Sequence, residues 1–383
     1  RNRVYNVTLN ASVKYTSMDY DDSNVLYLNW TGTDLEGFTP EKVYVDLSAL
    51  GLDSKTEMDT ELMALSFGCL EGTTIGGKAI KVTLIDDCDM TYTTNVTVNV
   101  KARTKTANTA TKLGTFDWDE AVIYFAITDR FFDGNTENNL GDPDSTADDE
   151  TYDPNDPGSY HGGDFAGLTQ KIDYLYDLGV NTIWLTPIVD DIDINLDEED
   201  NYENSDSYGY HGYWASDFTT LNPHLGTEAE FAALVSAAHA KGMKIMVDVV
   251  LNHSGYETED YFNSILDGKN MVRDSSNTVP GDQRQDGLSG LPDFVTEDED
   301  VRAQLIEWQT GWMTDYDIDY YRVDTVKHVD NTTWSAFKNA LIEENQDFKL
   351  IGEYYDAGYL NDYDQLDSGR MDSLLDFNFN DLM

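Results

Sequence analysis

The chain has 383 residues, 40% of them hydrophobic, which is enough for two or three domains with a substantial core. Asp and Glu number 73 against 24 Lys and Arg, and the formal net charge of −49 repels nucleic acid and anionic membrane surfaces while leaving neutral ligands and bound cations compatible. With two cysteines, Cys69 and Cys88, the chain is neither a disulfide scaffold nor a thiolate zinc site; the pair either bond to each other or stay free.

Through the first hundred residues apolar side chains alternate. Tyr5, Val7, Leu9, Ala11, Val13 and Tyr15 keep a period of two, repeated by Val43, Val45 and Leu47, by Ile80, Val82 and Leu84, and by Val96, Val98 and Val100. Short alternating runs separated by Gly, Asp and Ser turns predict an all-β sandwich of immunoglobulin-like type over 1–103. Its Tyr27, Trp30 and Tyr44 serve either as a sugar platform or as half-buried strand residues. A Thr, Ala and Lys-rich stretch at 104–117 reads as a linker.

From Trp118 the pattern changes. Apolar runs at 122–127, 182–185, 245–250, 318–323 and 348–351 predict parallel strands, with helices at 168–178, ending at Gly179, and 228–241, ending at Gly242. Strand-helix-strand alternation predicts a parallel α/β fold, and a (β/α)8 barrel would collect the polar residues after each strand on one face. Five or six such strands fit before the chain ends. Residues 190–206 form a low-complexity acidic loop. No stretch has the length of a transmembrane helix, and the chain opens Arg1-Asn2-Arg3-Val4, without Met or an apolar signal core, as a mature or excised segment does.

Two acids at predicted strand ends carry the chemistry. Side chains alternate along a strand, so Arg322 and Asp324 point the same way, and the guanidinium favours the ionised carboxylate that a nucleophile needs. Glu353 closes a buried apolar run, where a carboxyl can stay protonated. An ionised and a protonated acid on neighbouring strand ends is the pairing of a retaining glycosidase, which requires the oxygens of Asp324 and Glu353 to face each other across about 5 to 6 Å. Taken singly, each segment also reads as an ordinary ion pair or a loop glutamate.

In chain order, Asp248-Val249-Val250-Leu251-Asn252-His253, Arg322-Val323-Asp324-Thr325-Val326-Lys327-His328 and Gly352-Glu353 are three strand-end motifs. Tyr210-His211-Gly212-Tyr213-Trp214 and Leu291-Pro292-Asp293-Phe294 add two more. Together they resemble the α-amylase family, glycoside hydrolase family 13, over 118–383. The resemblance implies a TIM-type barrel, incomplete at its C-terminus, with a loop domain at about 252–295. It casts Asp324 as nucleophile, Glu353 as acid/base and Arg322 as the partner of the nucleophile. His253 and His211 become sugar-contacting residues, Tyr213 and Trp214 aromatic contacts, Lys327 a leaving-side contact and Asp248 a structural support.

The same resemblance implies Ca2+ in two places. Asn252, Asp293 and the backbone carbonyl of His328 make one set; Asp133, Asn135, Asn138, Asn139, Gly162 and Asp164 make the other, which also reads as oxygen-bearing side chains around a Gly turn. Within the family the look is that of bacterial amylopullulanases, which implies a secreted or surface-attached enzyme acting on starch, amylose or pullulan, with no nucleic acid and no membrane insertion. The family's third acid, an Asp after a His beyond Glu353, has no counterpart before Met383. The expectation is therefore a fragment that is inactive alone, its full-length form being the enzyme. Two alternatives stand beside this: an α-glucan transglycosylase on the same scaffold, and a non-catalytic starch-binding protein.

Overall fold

Alternation in the first hundred residues becomes eight strands: β1 (Asn6–Val13), β2 (Ser17–Met18), β3 (Asn24–Thr33), β4 (Pro40–Asp46), β5 (Thr56–Met58), β6 (Ala64–Phe67), β7 (Gly76–Asp86) and β8 (Thr91–Val100). The computed structural model describes residues 5–103, 118–141, 151–196 and 207–383; the predicted linker at 104–117 and the 197–206 part of the acidic loop lie outside them. The strands form a three-stranded sheet ordered β1-β3-β6 and a five-stranded sheet ordered β2-β8-β7-β4-β5. Every second residue faces one shared apolar cluster, with Leu9, Leu26 and Leu28 from one sheet and Val43, Val45, Ile80, Val82, Leu84 and Val98 from the other. Cys69 and Cys88 are not joined in a disulfide.

The apolar runs after Trp118 form a second sheet. Its strands are β9 (Ile123–Ala126), β10 (Thr182–Leu185), β13 (Lys244–Val249), β14 (Tyr320–Val323), β15 (Lys349–Gly352) and β16 (Ser373–Leu374), each parallel to the next. Spatial order follows chain order across all six, the arrangement of a TIM-type barrel wall. A hairpin of β11 (Val189–Asp191) and β12 (Ala215–Leu221) stands between β10 and β13 and was not anticipated.

Helices α1 (Thr128–Phe131), α2 (Phe165–Gln170), α3 (Ile172–Leu178), α4 (Glu228–Ala240), α5 (Glu259–Phe262), α6 (Glu299–Tyr316), α7 (Asn331–Glu344) and α8 (Phe377–Asn380) fill the connections. The predicted helix at 168–178 is broken, because Lys171 leaves helical geometry at φ −101 and ψ 5. A capping box of Thr227 and Glu230 starts α4, and Asp298 caps α6. Between β13 and α6 the chain makes a long excursion, tied by bridges of His253 to Asp293 and of Val272 to Phe294. Among the described residues no helix is long and apolar enough to cross a membrane.

The chain divides into two compact units. One contains the residues up to 104 together with 331–348 and 364–371, so α7 belongs with the N-terminal sheets. The other contains 105–330, 349–363 and 372–383, and holds the six-stranded parallel sheet.

Candidate active site

The four residues of β14, Tyr320 to Val323, are all buried, so the first polar side chain able to emerge at its C-terminal end is Asp324. Pairing continues one residue past the strands: Asp324 N–H donates to Val249 O at 2.9 Å and Glu353 N–H to Val323 O at 2.8 Å. Both acids are thereby pinned at the same level of the sheet. Parallel register places Asp248 beside Arg322.

Arg322 is the hub. Its Nη1 donates to Asp248 Oδ1 at 2.8 Å, to Asp248 Oδ2 at 3.0 Å and to Asp324 Oδ1 at 2.6 Å. Its Nη2 lies 2.9 Å from Glu353 Oε1. Burial works against the charge on this guanidinium, but Asp248 and Asp324 outweigh it and hold its pKa up. Burial also pushes Asp248 up to about 7 against the pull of Arg322, with the charge of Asp324 adding to the rise. Glu353 is raised, first by burial and then by the charge of Asp324, which lies within hydrogen-bonding reach and therefore nearer than expected from the sequence; Arg322 and the Thr325 N–H oppose the rise.

Thr325 delivers that N–H to Glu353 Oε2 at 3.2 Å from a left-handed conformation, φ 48 and ψ 39. A β-branched residue there is strained by roughly 1 to 2 kcal/mol.

Around the acids, the Tyr213 hydroxyl donates to Asp248 Oδ2 at 2.8 Å, and Trp184 Nε1 donates to the same oxygen at 3.2 Å. His253 Nε2 sits 3.2 Å from Tyr213 O, and His211 Nδ1 accepts from Tyr213 N–H at 3.1 Å. Burial lowers both imidazoles to about 4, so both are neutral near pH 7. Asp324, Glu353, Arg322, Tyr213, His253 and His211 thus form one connected group.

Trp214 stands at the edge of this group, its ring meeting that of His211 edge-on at 4.3 Å. At 9% exposure its indole is enclosed by Ile192, Leu196, Tyr256 and Leu291, and it offers a sugar no open face. Lys327 stands apart from the Arg322 network, 3.4 Å from Asp356 and 5.8 and 5.9 Å from the rings of Tyr354 and Tyr355. Asp248, expected only as a support, binds Arg322 and Tyr213 directly. Its place in register across from Arg322 was the available signal. The roles of Trp184 and Thr325 had none.

Of the oxygen groups, Asp133, Asn138 and Asn139 are the most telling. Asp133 Oδ1, Asn138 Oδ1 and Asn139 Oδ1 are buried and have no hydrogen-bond partner. Asn139 Nδ2 donates to Asp133 Oδ2 at 3.0 Å, holding the pair together. Gly162, at φ 85, closes the group, and a Cβ there would stand 2.8 Å from Asn139 Oδ1. Orphaned oxygens of this kind fit a hard cation. Asp164 instead accepts N–H groups from Gly134, Asn135 and Gly167, capping α2, and Asn135 Nδ2 donates to Glu230 Oε1 at 3.0 Å.

In the other set, Phe294 N–H donates to Asn252 O at 2.9 Å, which brings Asn252 and Asp293 together. A cation already neighbours Asp293: Arg273 Nε donates to its Oδ2 at 2.8 Å and forks to Glu297 through bonds of 2.7 Å each. Burial raises Asp293 to about 6 against the pull of Arg273. His328 meets Gln283 O through Nδ1 at 2.7 Å.

Comparison with known proteins agrees with this geometry. Residues 125–287 match the family described as alpha amylase, catalytic domain. The alpha-amylase of Streptomyces lividans is 34% identical over 293 residues, 60% of this chain and 31% of that protein. The cyclomaltodextrin glucanotransferase of Niallia circulans is 33% identical over 282 residues, 68% of this chain and 38% of that protein. Among solved structures, an Anoxybacillus alpha-amylase aligns with a TM-score of 0.58 at 34% identity, over 70% of this chain and 54% of that one. The chain spans between 31% and 54% of the length of these relatives. With six parallel strands in chain order and two acids at adjoining strand ends beside one arginine, the unit that contains residues 125–287 is similar to the alpha-amylase catalytic domain.

Proposed function

We propose that the protein is a retaining glycoside hydrolase that cleaves α-glucosidic bonds of starch-type glucans. The observation that carries this is the anchoring of Asp324 and Glu353 to the two nitrogens of one guanidinium. An Asp324 oxygen attacks the anomeric carbon while the Glu353 proton passes to the departing glycosidic oxygen. The second half reverses this: Glu353, now ionised, takes a proton from water, whose oxygen displaces Asp324 from the sugar. A raised Glu353 suits the proton donor. His253, His211 and Tyr213 bind the sugar at the cleavage point, and Lys327 with its neighbouring tyrosines binds the leaving side.

Asp133, Asn138 and Asn139 hold a Ca2+, with Gly162 contributing its carbonyl and Asn135 and Asp164 shaping the loop. Asn252, Asp293 and the His328 carbonyl hold a second. Calcium would supply fixed positive charge and loop rigidity here, remote from the proton transfers. Residues 1–103 form an immunoglobulin-like accessory sandwich, a reading supported by their two sheets and shared core, while 118–383 form the catalytic barrel with a loop domain at about 252–295. The amylopullulanase-like motifs favour a secreted enzyme that accepts pullulan as well as amylose.

Transglycosylation is the second reading, favoured by the likeness to a cyclomaltodextrin glucanotransferase. The complete gene product assayed on amylose and pullulan tests both. Reducing ends that vanish in Asp324→Asn support hydrolysis, cyclic or lengthened products support transfer, and a parent without either activity overturns the proposal.

A further inference from the structure

Helix α7 links the strand that ends at Asp324 to the strand that ends at Glu353, yet it is held by the N-terminal sheets. It packs on β3 and β6. Its Trp334, Phe337, Leu341 and Ile342 are fully buried, though outside the apolar cluster that the two N-terminal sheets share, so the hold on the helix is read from its polar ties. Both ends of the helix are tied as well. At its start, Thr332 Oγ1 donates to Asp59 Oδ2 at 2.7 Å. At its end, the Tyr15 hydroxyl is shared between Ile342 O at 2.9 Å and Glu343 O at 3.1 Å, carbonyls that a helix C-terminus leaves without partners.

The Tyr27 hydroxyl donates to Glu343 Oε1. Just beyond the helix, Ser23 N–H donates to Gln346 O at 2.9 Å and Gln346 Nε2 to Ser17 O at 3.1 Å. The aromatic residues that would make a sugar platform are committed: Tyr27 to Glu343, Trp30 to Phe38 at 5.5 Å between rings, and Tyr44 to Lys55 at 4.2 Å.

We infer that the N-terminal sheets are a clamp on α7, with Tyr15 and Tyr27 as positioning residues that fix the helix between the two acid-bearing strands, rather than a glucan-binding module. The inference takes its catalytic meaning from the function proposed above. Carboxyl placement matters to a fraction of an ångström in such chemistry, so a loosened helix costs turnover before it costs binding.

The test is the Tyr15→Phe/Tyr27→Phe double variant of the complete protein, with Thr332→Val as a milder second variant and Glu343→Gln as the conservative control that keeps an acceptor for Tyr27. At a temperature well below unfolding, the double variant should speed amide exchange across 331–344 roughly 10-fold. It should lower kcat roughly 3- to 10-fold at unchanged KM, with Glu343→Gln near the parent. Unchanged exchange in 331–344 overturns the clamp, as does faster exchange with unchanged kcat. Lost retention on an amylose column with kcat intact would assign the sheets to glucan binding instead. A parent with no glucan turnover would sink the catalytic reading alone, since exchange still decides whether the sheets hold the helix.

Discussion

Asp248 lies across from Arg322 in the register of β13 and β14, and both of its oxygens accept from the same guanidinium nitrogen, at 2.8 and 3.0 Å. The nitrogen that grips Asp248 also grips Asp324, so the fork cannot be reproduced by a point charge on a flexible stem. Arg322→Lys should lower kcat on soluble starch by about 100-fold or more, consistent with about 3 to 5 kcal/mol for breaking a buried ion pair. Steady-state kinetics beside a thermal melt checks this, and near-parental kcat would refute the hub.

Glu353→Gln removes the proposed proton donor but keeps the side-chain shape. Loss of general acid catalysis should cost about 100- to 10,000-fold on starch. An aryl maltoside with an acidic phenol needs no proton on departure and should lose far less. Because Glu353 is raised in the folded protein, its deprotonation sets the alkaline limb of kcat, and that limb should vanish in the variant. Equal losses on both substrates would reassign the acid.

At the opposite end of β14, His239 Nε2 meets Asp319 Oδ2 at 2.8 Å, with Lys244 Nζ at 2.6 Å from Asp319 Oδ1 and Asp317 at 3.7 Å from the imidazole. The hydrogen bond to Asp319 raises His239, while for Asp319 burial is overcome by His239 and Lys244, leaving it lowered. A raised histidine stabilises fully below its unfolded pKa of about 6.5 and loses that contribution as pH climbs through the folded value. The lowered Asp319 contributes above about 3.9 and loses it as pH falls through its folded value. Tm should therefore decline on the alkaline side of about 6.5 in the parent, and His239→Gln should flatten that decline. A parallel pair of Tm-against-pH curves would contradict it.

Calcium removal is the fourth test. A chelator should lower the Tm of the parent, and Asn138→Leu, which removes an orphaned oxygen, should reduce that sensitivity. Gly162→Ala should do the same at higher cost, being strained at φ 85 and crowding Asn139. A Tm that ignores chelator in the parent would remove the metal from this loop.

The acids were readable because strand-end chemistry is local: a buried run followed by a carboxylate states its own position, and Arg322 two residues earlier states its partner. Alternation likewise revealed β1, β4, β7 and β8 of the N-terminal sheets, while β2, β3, β5 and β6 were not read. What stayed hidden depends on contacts distant in sequence. Nothing near Thr332 or Glu343 says that Asp59, Tyr15 and Tyr27 meet them, so the attachment of α7 to the N-terminal sheets was invisible. The burial of Trp214 was not legible, because an aromatic beside a sugar-binding motif looks the same whether its ring faces a cleft or a packed loop. Thr325 gave no sign either, since a left-handed threonine is imposed by its surroundings against its own preference. Lys171 broke a helix whose periodicity ran straight through it.

A lone cation meets three carboxyls here, so even one bound proton leaves an excess of negative charge among them. Each acid competes with the other two for the same guanidinium, and neutralising any one of them releases that charge toward the remaining pair.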